Sequence, residues 1–498
     1  MLSLSASTVI VKIIGLLYKI PMLSLVGGEG MGYFNSAYEI YSLLCIISIT
    51  GLPVATSVII SGARHKAEGV LRVSLRLFAA IGIAFSLLML IFSHNIAVGL
   101  KSEKAYYSIL AISPSLLFVC ISGAYKGYFQ GLSDMRPICV SGVIEAASKL
   151  IFGLLFAVIA VRMSLPVHTV AAAGIFSVTL GSAISLSYFA VYKKRRYGDK
   201  KTPSAKTGER RKIILDIIKI SFPTTASSIM MSAVRIVDMT MILRRLQDIG
   251  YTSEYANAVY GSYTTMAIPI FSLAAALVSS VAIPLIPELS REISEKSTEG
   301  QGEKISCALS LTAYISCPVM IGISLFSFEI LSLIFKNQPD GVRLIAPLLS
   351  LLGLSVLSSV LITLTSAMLQ AYRQAAKPLI SMAAGCIVKI IISFILIGNK
   401  NINIFGAPIG TYLCDLLICI LNFVFLFRYF KGRISFKKTV VIPALCSAVA
   451  IIPVFFIMRA VQHYLGVSNA LTVVSIIMSA ILYLLISGRR ILKLKDLG

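Results

Sequence analysis

The chain predicts an all-α polytopic membrane protein: about fourteen transmembrane helices forming two six-helix lobes, followed by two C-terminal helices. Three features point there. Of its 498 residues, 57% are hydrophobic and only 13% are charged, about half the charged share of a soluble globular domain. Mean hydropathy is +0.89. Apolar runs of roughly twenty residues recur from end to end, the length a helix needs to cross a bilayer core about 30 Å thick. Together they exclude a soluble enzyme, a disordered regulator and a secreted disulfide scaffold.

The runs centre near Gly15, Ile46, Ile81, Leu117, Lys149, Thr179, Ile229, Leu273, Tyr314, Leu357, Val388, Asp415, Val449 and Met478. The first, Thr8–Leu25, follows no basic n-region and precedes no small-residue cleavage site, so it reads as a retained span. Most runs contain helix breakers, as at Gly51–Pro53, Pro114, Pro223, Pro269 and Pro318. In lipid every backbone polar group needs an internal partner, so these breakers imply neighbouring helices or an internal cavity. The nine Cys lie in apolar stretches without a Cys-x-x-Cys pair, and the four His are scattered. Neither pattern has metal-ligand spacing, so packing cysteines and no metal are expected. No glycine-rich nucleotide loop occurs, and no cofactor is expected.

Charge fixes the orientation. Lys and Arg total 45 against 21 Asp and Glu, a formal +24. With the N-terminus inside, 27 of these cations fall on inner loops and the C-terminal tail, and nine on outer loops. Cytoplasmic loops carry such an excess, which predicts a multi-pass protein of the cytoplasmic membrane with both termini cytoplasmic. The basic stretch Lys193–Lys212 has no interleaved aromatic pattern and links two spans. It reads as orientation charge against anionic headgroups, with membrane lipids rather than nucleic acid as the partner.

That stretch also divides the chain. An N-lobe of six spans covers 1–192, a basic linker 193–212, a C-lobe of six spans 213–430, and the last two spans with the tail 431–498. The halves repeat: Gln130, Pro137 and Lys149 recur as Gln370, Pro378 and Lys389, at nearly equal spacings. With an even number of spans per half this is a parallel repeat, and transporters so built place substrate between lobes near mid-membrane.

Nine Lys and Arg belong to no loop. Arg72, Arg76, Lys126 and Lys219 lie near span ends, where long side chains snorkel. Lys12, Lys19, Lys149, Arg235 and Lys389 lie deeper, where a charge costs about 2.5–3.5 kcal/mol and faces a partner or a water-filled cavity. Lys12 and Lys19 are two turns apart and share a helix face. Arg235 and Asp238 stand at i, i+3, and Glu145 and Lys149 at i, i+4, as candidate ion pairs. Glu39 lies at a depth that Lys19 reaches, and Asp415 is mid-span. The candidate substrate-binding set is therefore Lys12, Lys19, Glu39, Lys149, Arg235, Asp238 and Lys389. Glu39, Glu145 and Asp415 are the candidate coupling or ion-pair acids. A positively lined cleft attracts anions, and a phosphate or pyrophosphate headgroup is the expected fit.

Several stretches carry a family resemblance. They are Ile20-Pro-Met-Leu-Ser-Leu-Val-Gly-Gly-Glu-Gly-Met-Gly-Tyr33, Ala37-Tyr-Glu-Ile-Tyr-Ser-Leu-Leu44 and Gly51-Leu-Pro-Val-Ala55. Pro114-Ser-Leu-Leu-Phe118, Gly127-Tyr-Phe-Gln-Gly131, Met135 and Pro137 continue it. Asp238, Leu243-Arg-Arg-Leu-Gln247, Tyr260-Gly261, Pro269 and Ile283-Pro-Leu-Ile-Pro-Glu-Leu-Ser290 complete it. Across nearly the whole chain this resembles the stage V sporulation protein B-like polysaccharide-biosynthesis exporters of the multidrug/oligosaccharidyl-lipid/polysaccharide (MOP) superfamily. The resemblance implies fourteen spans and alternating access that flips an undecaprenyl-pyrophosphate-linked saccharide outward. The usual cargo of this branch is a peptidoglycan precursor, lipid II, and cell-wall synthesis proteins are the implied partners.

Departures matter too. MurJ-type lipid II flippases, which are related, carry arginines in the first, second and eighth spans. Here Lys12 and Lys19 fall at or near the first-span positions, the second span has no cation, and Thr264 and Thr265 stand in the eighth. Relatives commonly have proline where this chain has Glu39. A multidrug cation antiporter of the same superfamily is the alternative, but it wants cavity acids, and the first span has two lysines and none. A membrane-embedded glycosyltransferase is the enzymatic alternative. It needs catalytic carboxylates on a sizeable loop, and the large inner loop is basic with only Asp199 and Glu209; no enzyme activity is expected.

Overall fold

The computed structural model describes residues 2–198, 207–282, 301–374, 376–429, 437–465 and 469–496. Among these the secondary structure is helical, without strands, and every one of the predicted segment centres lies in a helix. The motif Ile283–Ser290, linker residues 199–206 and the inner-loop cations Arg291, Lys296, Lys431 and Arg433 lie outside the described residues. In chain order come α1 (Leu2–Ile46), a π turn (Ile47–Gly51), α2 (Leu52–Gly62), α3 (Ala67–Ile91), α4 (Ser93–Gly99) and α5 (Tyr106–Ile112). Then follow α6 (Ser115–Gly131), α7 (Arg136–Arg162), α8 (Val167–Tyr197), α9 (Thr207–Asp248), α10 (Ser253–Ser262), a second π turn (Tyr263–Ala267) and α11 (Ile268–Ala282). The remainder holds α12 (Gln301–Leu325), α13 (Ser327–Ile334), α14 (Pro339–Ala371), α15 (Ala376–Ile397), α16 (Gly406–Tyr429), α17 (Ile442–Leu465) and α18 (Asn469–Asp496).

Among the described residues, 12 helices are long and apolar enough to cross a membrane. Two predicted segments fall outside that count for readable reasons. The first two segments run into one helix of 45 residues, α1, far longer than the roughly 20 residues one crossing needs. Its geometry breaks at Gly27 (φ 64°, ψ −177°), a conformation open essentially to glycine alone. The second segment then continues through the π turn into α2. The seventh segment lies in α9, whose 42 residues include Lys219, Arg235 and Asp238.

By internal contacts the chain divides into two compact units, Met1–Thr265 and Met266–Gly498. The division falls within the eighth predicted segment because α9 and α10 pack on α1, α2 and α3. It is a property distinct from the sequence repeat, whose boundary is the linker.

Within unit 1, Phe78, Phe129, Phe189 and Ile217 bring α3, α6, α8 and α9 into one buried cluster. Beside it Glu68 accepts from the Tyr128 hydroxyl at 3.0 Å and pairs with Lys193 at 3.2 Å, so this half-sequestered carboxylate is fully answered. Near the other end of α9, the turn around Lys101 is held by α9 and the segment after it. Lys101 pairs with Asp248 at 2.8 Å, Lys104 with Glu254 at 3.1 Å, and the Lys101 carbonyl accepts from Gln247 and Ser253. The hydrogen bond from Lys101 holds the Asp248 carboxyl below its ordinary value. Close backbone contact joins α1 to α10: a Cβ on Gly28, Gly32 or Gly261 would overlap main-chain atoms of the facing helix. This small-x-x-x-small spacing is a common solution in membranes, where close approach supplies the packing.

Within unit 2, Leu309, Leu364, Met368 and Leu426 join α12, α14 and α16. The repeat has a structural counterpart. Both α6 and α14 end in a turn whose third residue after the glutamine has positive φ, Ser133 at 64° and Arg373 at 60°. The same two hydrogen bonds close each turn, Ser133 N to Gln130 O and Asp134 N to Phe129 O, matched by Arg373 N to Gln370 O and Gln374 N to Leu369 O. The helices that follow carry Lys149 and Lys389 respectively.

Candidate functional site

Unit 1 gathers most of the intramembrane charges. On α1, Tyr18 is buried and Lys19 is partly buried, both ahead of the break at Gly27, while Asn35, Tyr38 and Glu39 follow it. The glycine contact between α1 and α10 brings the π turn after α10 against this stretch. Asn35 donates to both Thr264 Oγ1 (2.9 Å) and Thr265 Oγ1 (3.0 Å). In a π turn the regular i→i−4 ladder is displaced, a feature frequent at functional sites. The Thr264 carbonyl there accepts Lys19 Nζ at 3.2 Å. The eighth-span threonines thus contribute a backbone acceptor and an amide-hydroxyl lock rather than a positive charge.

Lys149, on α7, is held differently. Its ammonium lies over three rings of α1, 4.6 Å from the Tyr38 centroid, 5.4 Å from Tyr18 and 5.7 Å from Phe34. Each such contact is worth about 0.5–2 kcal/mol. Glu145, the expected i, i+4 partner, lies within electrostatic range, and so does Lys19, a like charge. Among the described residues neither lysine forms an ion pair. Arg235, on α9, pairs with Glu39 at 3.1 Å instead of the expected Asp238. Its Nη2 also donates to Ser42 Oγ (3.2 Å) and Ser232 Oγ (2.5 Å). Glu39 also lies within electrostatic range of Lys19, the approach expected from depth alone, but its carboxylate is occupied by Arg235.

The structure therefore assembles Lys19, Lys149, Arg235, Glu39 and Glu145 in unit 1, and Asp238 stands one turn from Arg235 on α9. Lys12 is exposed, one face away from the buried side of Tyr18. Lys389 and Asp415 belong to unit 2, on neighbouring helices α15 and α16 and within electrostatic range of each other. The charge-based reading missed Asn35, the aromatic frame and the two serines. A signal existed for the rings, since Tyr18, Phe34, Tyr38 and Tyr41 are spaced for one face of each half of α1. Among the described residues no group of three or more His, Cys, Asp or Glu that could hold a metal ion forms.

Two cations, neither in an ion pair among the described residues, thus lie within electrostatic range of each other, one on a carbonyl and one on aromatic faces. Water-poor surroundings strengthen their field.

The chain matches a family profile described as polysaccharide biosynthesis protein over residues 1–290, more than half its length, and one described as MatE over 223–395. It is 24% identical to stage V sporulation protein B of Bacillus subtilis (strain 168), covering 97% of this chain and 93% of the relative. It is 23% identical to the lipid II flippase MurJ of the same organism, covering 93% and 88%. In fold it is similar to a solved lipid II flippase MurJ in an inward closed conformation. That match has a TM-score of 0.72 at 17% identity and covers 98% of both chains.

Proposed function

The chain belongs to the polysaccharide biosynthesis protein family, a membrane-embedded transporter family of the MOP superfamily, and on that premise we propose that it is a flippase for a lipid-linked anionic saccharide. The cargo is an undecaprenyl-pyrophosphate-linked saccharide, with a peptidoglycan precursor such as lipid II the best fit. It crosses the cytoplasmic membrane by alternating access, with both termini on the cytoplasmic side and no covalent chemistry. One observation carries the substrate class: Lys19 and Lys149 lie within electrostatic range of each other inside spans, and neither has an ion-pair partner among the described residues.

Two ammonium groups so placed repel each other, and an entering pyrophosphate removes that cost. The aromatic frame offsets with π faces the water that Lys149 loses until the anion arrives, and the Thr264 carbonyl does the same for Lys19. Charge moved through a potential of 100 mV is worth about 2.3 kcal/mol per elementary charge, so these cations also give the membrane potential a handle on the cycle.

The test uses purified protein in vesicles, with flipping of lipid II, of a polyprenyl-pyrophosphate disaccharide and of a cationic dye followed with and without an imposed potential. Movement of the pyrophosphate lipids, and none of the dye, is expected. Movement of the dye alone contradicts the proposal and restores the antiporter reading.

A further inference from the structure

We propose that Glu39 is a built-in stand-in for the substrate's phosphate: its carboxylate occupies the guanidinium of Arg235, and the anionic headgroup must displace it to bind. This rests on the flippase reading above and concerns how that same site is kept closed to weak anions.

The geometry is specific. An arginine recognises phosphate best with two parallel N–H donors on one edge of its plane. On Arg235 the edge formed by Nε and Nη2 is already in use. Nε donates to Glu39 Oε2, and Nη2 donates to Ser42 and Ser232. The serines come from the two helices that the arginine bridges, α1 and α9, and they fix the guanidinium plane so that this edge faces Glu39. Only the Nη1 donors are uncommitted among the described residues, and one nitrogen cannot make the two-point contact. A phosphate that engages the forked edge therefore evicts a carboxylate.

The surroundings support the same role. Glu39 lies in the field of Lys19, and Tyr38 beside it carries Lys149 on its ring. Glu145 and Asp238 are the other acids near these cations. The Glu39 carboxylate thus sits on Arg235 and within electrostatic range of Lys19, one residue from the ring that carries Lys149. Its side chain is 24% exposed and that of Arg235 48%, so the pair is not a sealed structural bridge. Arg235 stands on α9 and Glu39 on the part of α1 after the break at Gly27, so their pair holds these two helices together until an anion takes the arginine.

An internal competitor lowers the apparent affinity of the incoming ligand by the fraction of time that it yields the site. Couplings between sites commonly amount to about 5–150-fold. The experiment measures binding of farnesyl pyrophosphate to the full-length protein in nanodiscs, for wild type, Glu39→Gln and Glu39→Asp. Glu39→Gln is expected to bind about tenfold tighter or more. Glu39→Asp, which keeps the charge but draws it back by one methylene, is expected to bind a few-fold tighter, and it carries the test should the glutamine variant fail to fold. Equal affinity in wild type and the folded variants overturns the inference and leaves the flippase reading standing. Absence of binding in all three, while a cationic dye binds, overturns the flippase reading itself.

Discussion

Lys149 and Lys389 stand twelve and eleven residues after a proline, and each has a carboxylate within electrostatic range, Glu145 and Asp415, but Lys149 has aromatic rings and a second lysine about it as well. In unit 1 Lys149 lies over the rings of Tyr18, Phe34 and Tyr38, with a second lysine in its field. In unit 2 Lys389 lies within electrostatic range of Asp415 on the adjacent helix. Aromatic faces accept a cation without cancelling its charge, whereas a carboxylate cancels it. On the flippase reading, Lys149 with its rings is the lysine that meets the ligand, and Lys389 is not. An internal repeat supplies the position, and the neighbours decide the use.

The contrast predicts unequal responses to removing acids. Asp415→Ala takes away the carboxylate within electrostatic range of Lys389 and is expected to lower the melting temperature in detergent more than Glu145→Ala does. Glu145→Ala is expected to cost under about 1 kcal/mol, because Lys149 keeps its rings. Equal losses break the comparison. Next in size is Gly32→Ala, where the added methyl group meets the backbone of Asn257. Overpacking of this kind costs about 1–3 kcal/mol. It also separates α10 from α1, so flipping is expected to fall along with stability. Tyr38→Leu removes the closest ring under Lys149 and is expected to cost about 0.5–2 kcal/mol, read as a lowered melting temperature.

The smallest effect sharpens unit 2's habit of answering cations with carboxylates. Glu329, on the short helix α13, is buried and lies 3.4 Å from Arg459, with its second oxygen unpartnered. Burial pushes its carboxyl up from the ordinary 4.5, against the pull of its own backbone hydrogen bond and of Arg459. A carboxyl raised on folding binds more protons in the native state than in the unfolded one, so its contribution to stability falls as pH rises from the unfolded value through the folded one. Melting curves between pH 4 and 7 should show that slope in wild type, and Glu329→Gln should flatten it. A slope of opposite sign contradicts the assignment.

Much of the fold was legible from the sequence, and less of the site. Span centres follow from apolar length, a local property, and each fell in a helix. The break at Gly27 was not legible, because the apolar stretch and its glycines continue through it without a polar turn. The π turns at 47–51 and 263–267 leave no composition signal, so the Thr264 carbonyl was invisible as a partner for Lys19. Charge pairing by sequence spacing led to Asp238 for Arg235, whereas the actual partner, Glu39, is 196 residues away. Local spacing offers a partner, but an arginine reaching across a helix interface takes the acid that the packing presents. Asn35, a neutral side chain in an apolar run, became significant only once the glycine contact of α1 with α10 set two threonines beside it.

On the flippase reading, the cations of unit 1, rather than Lys389 of unit 2, receive the substrate. The most direct measurement is the rate of lipid II flipping in reconstituted vesicles for Lys19→Ala and Lys389→Ala, each at a temperature where the variant is folded. Lys19→Ala is expected to lose at least about thirtyfold, roughly 2 kcal/mol, as for a desolvated charge that meets an opposite one, while Lys389→Ala retains most of the wild-type rate. Full activity in Lys19→Ala, or an equal loss in both variants, would contradict the account.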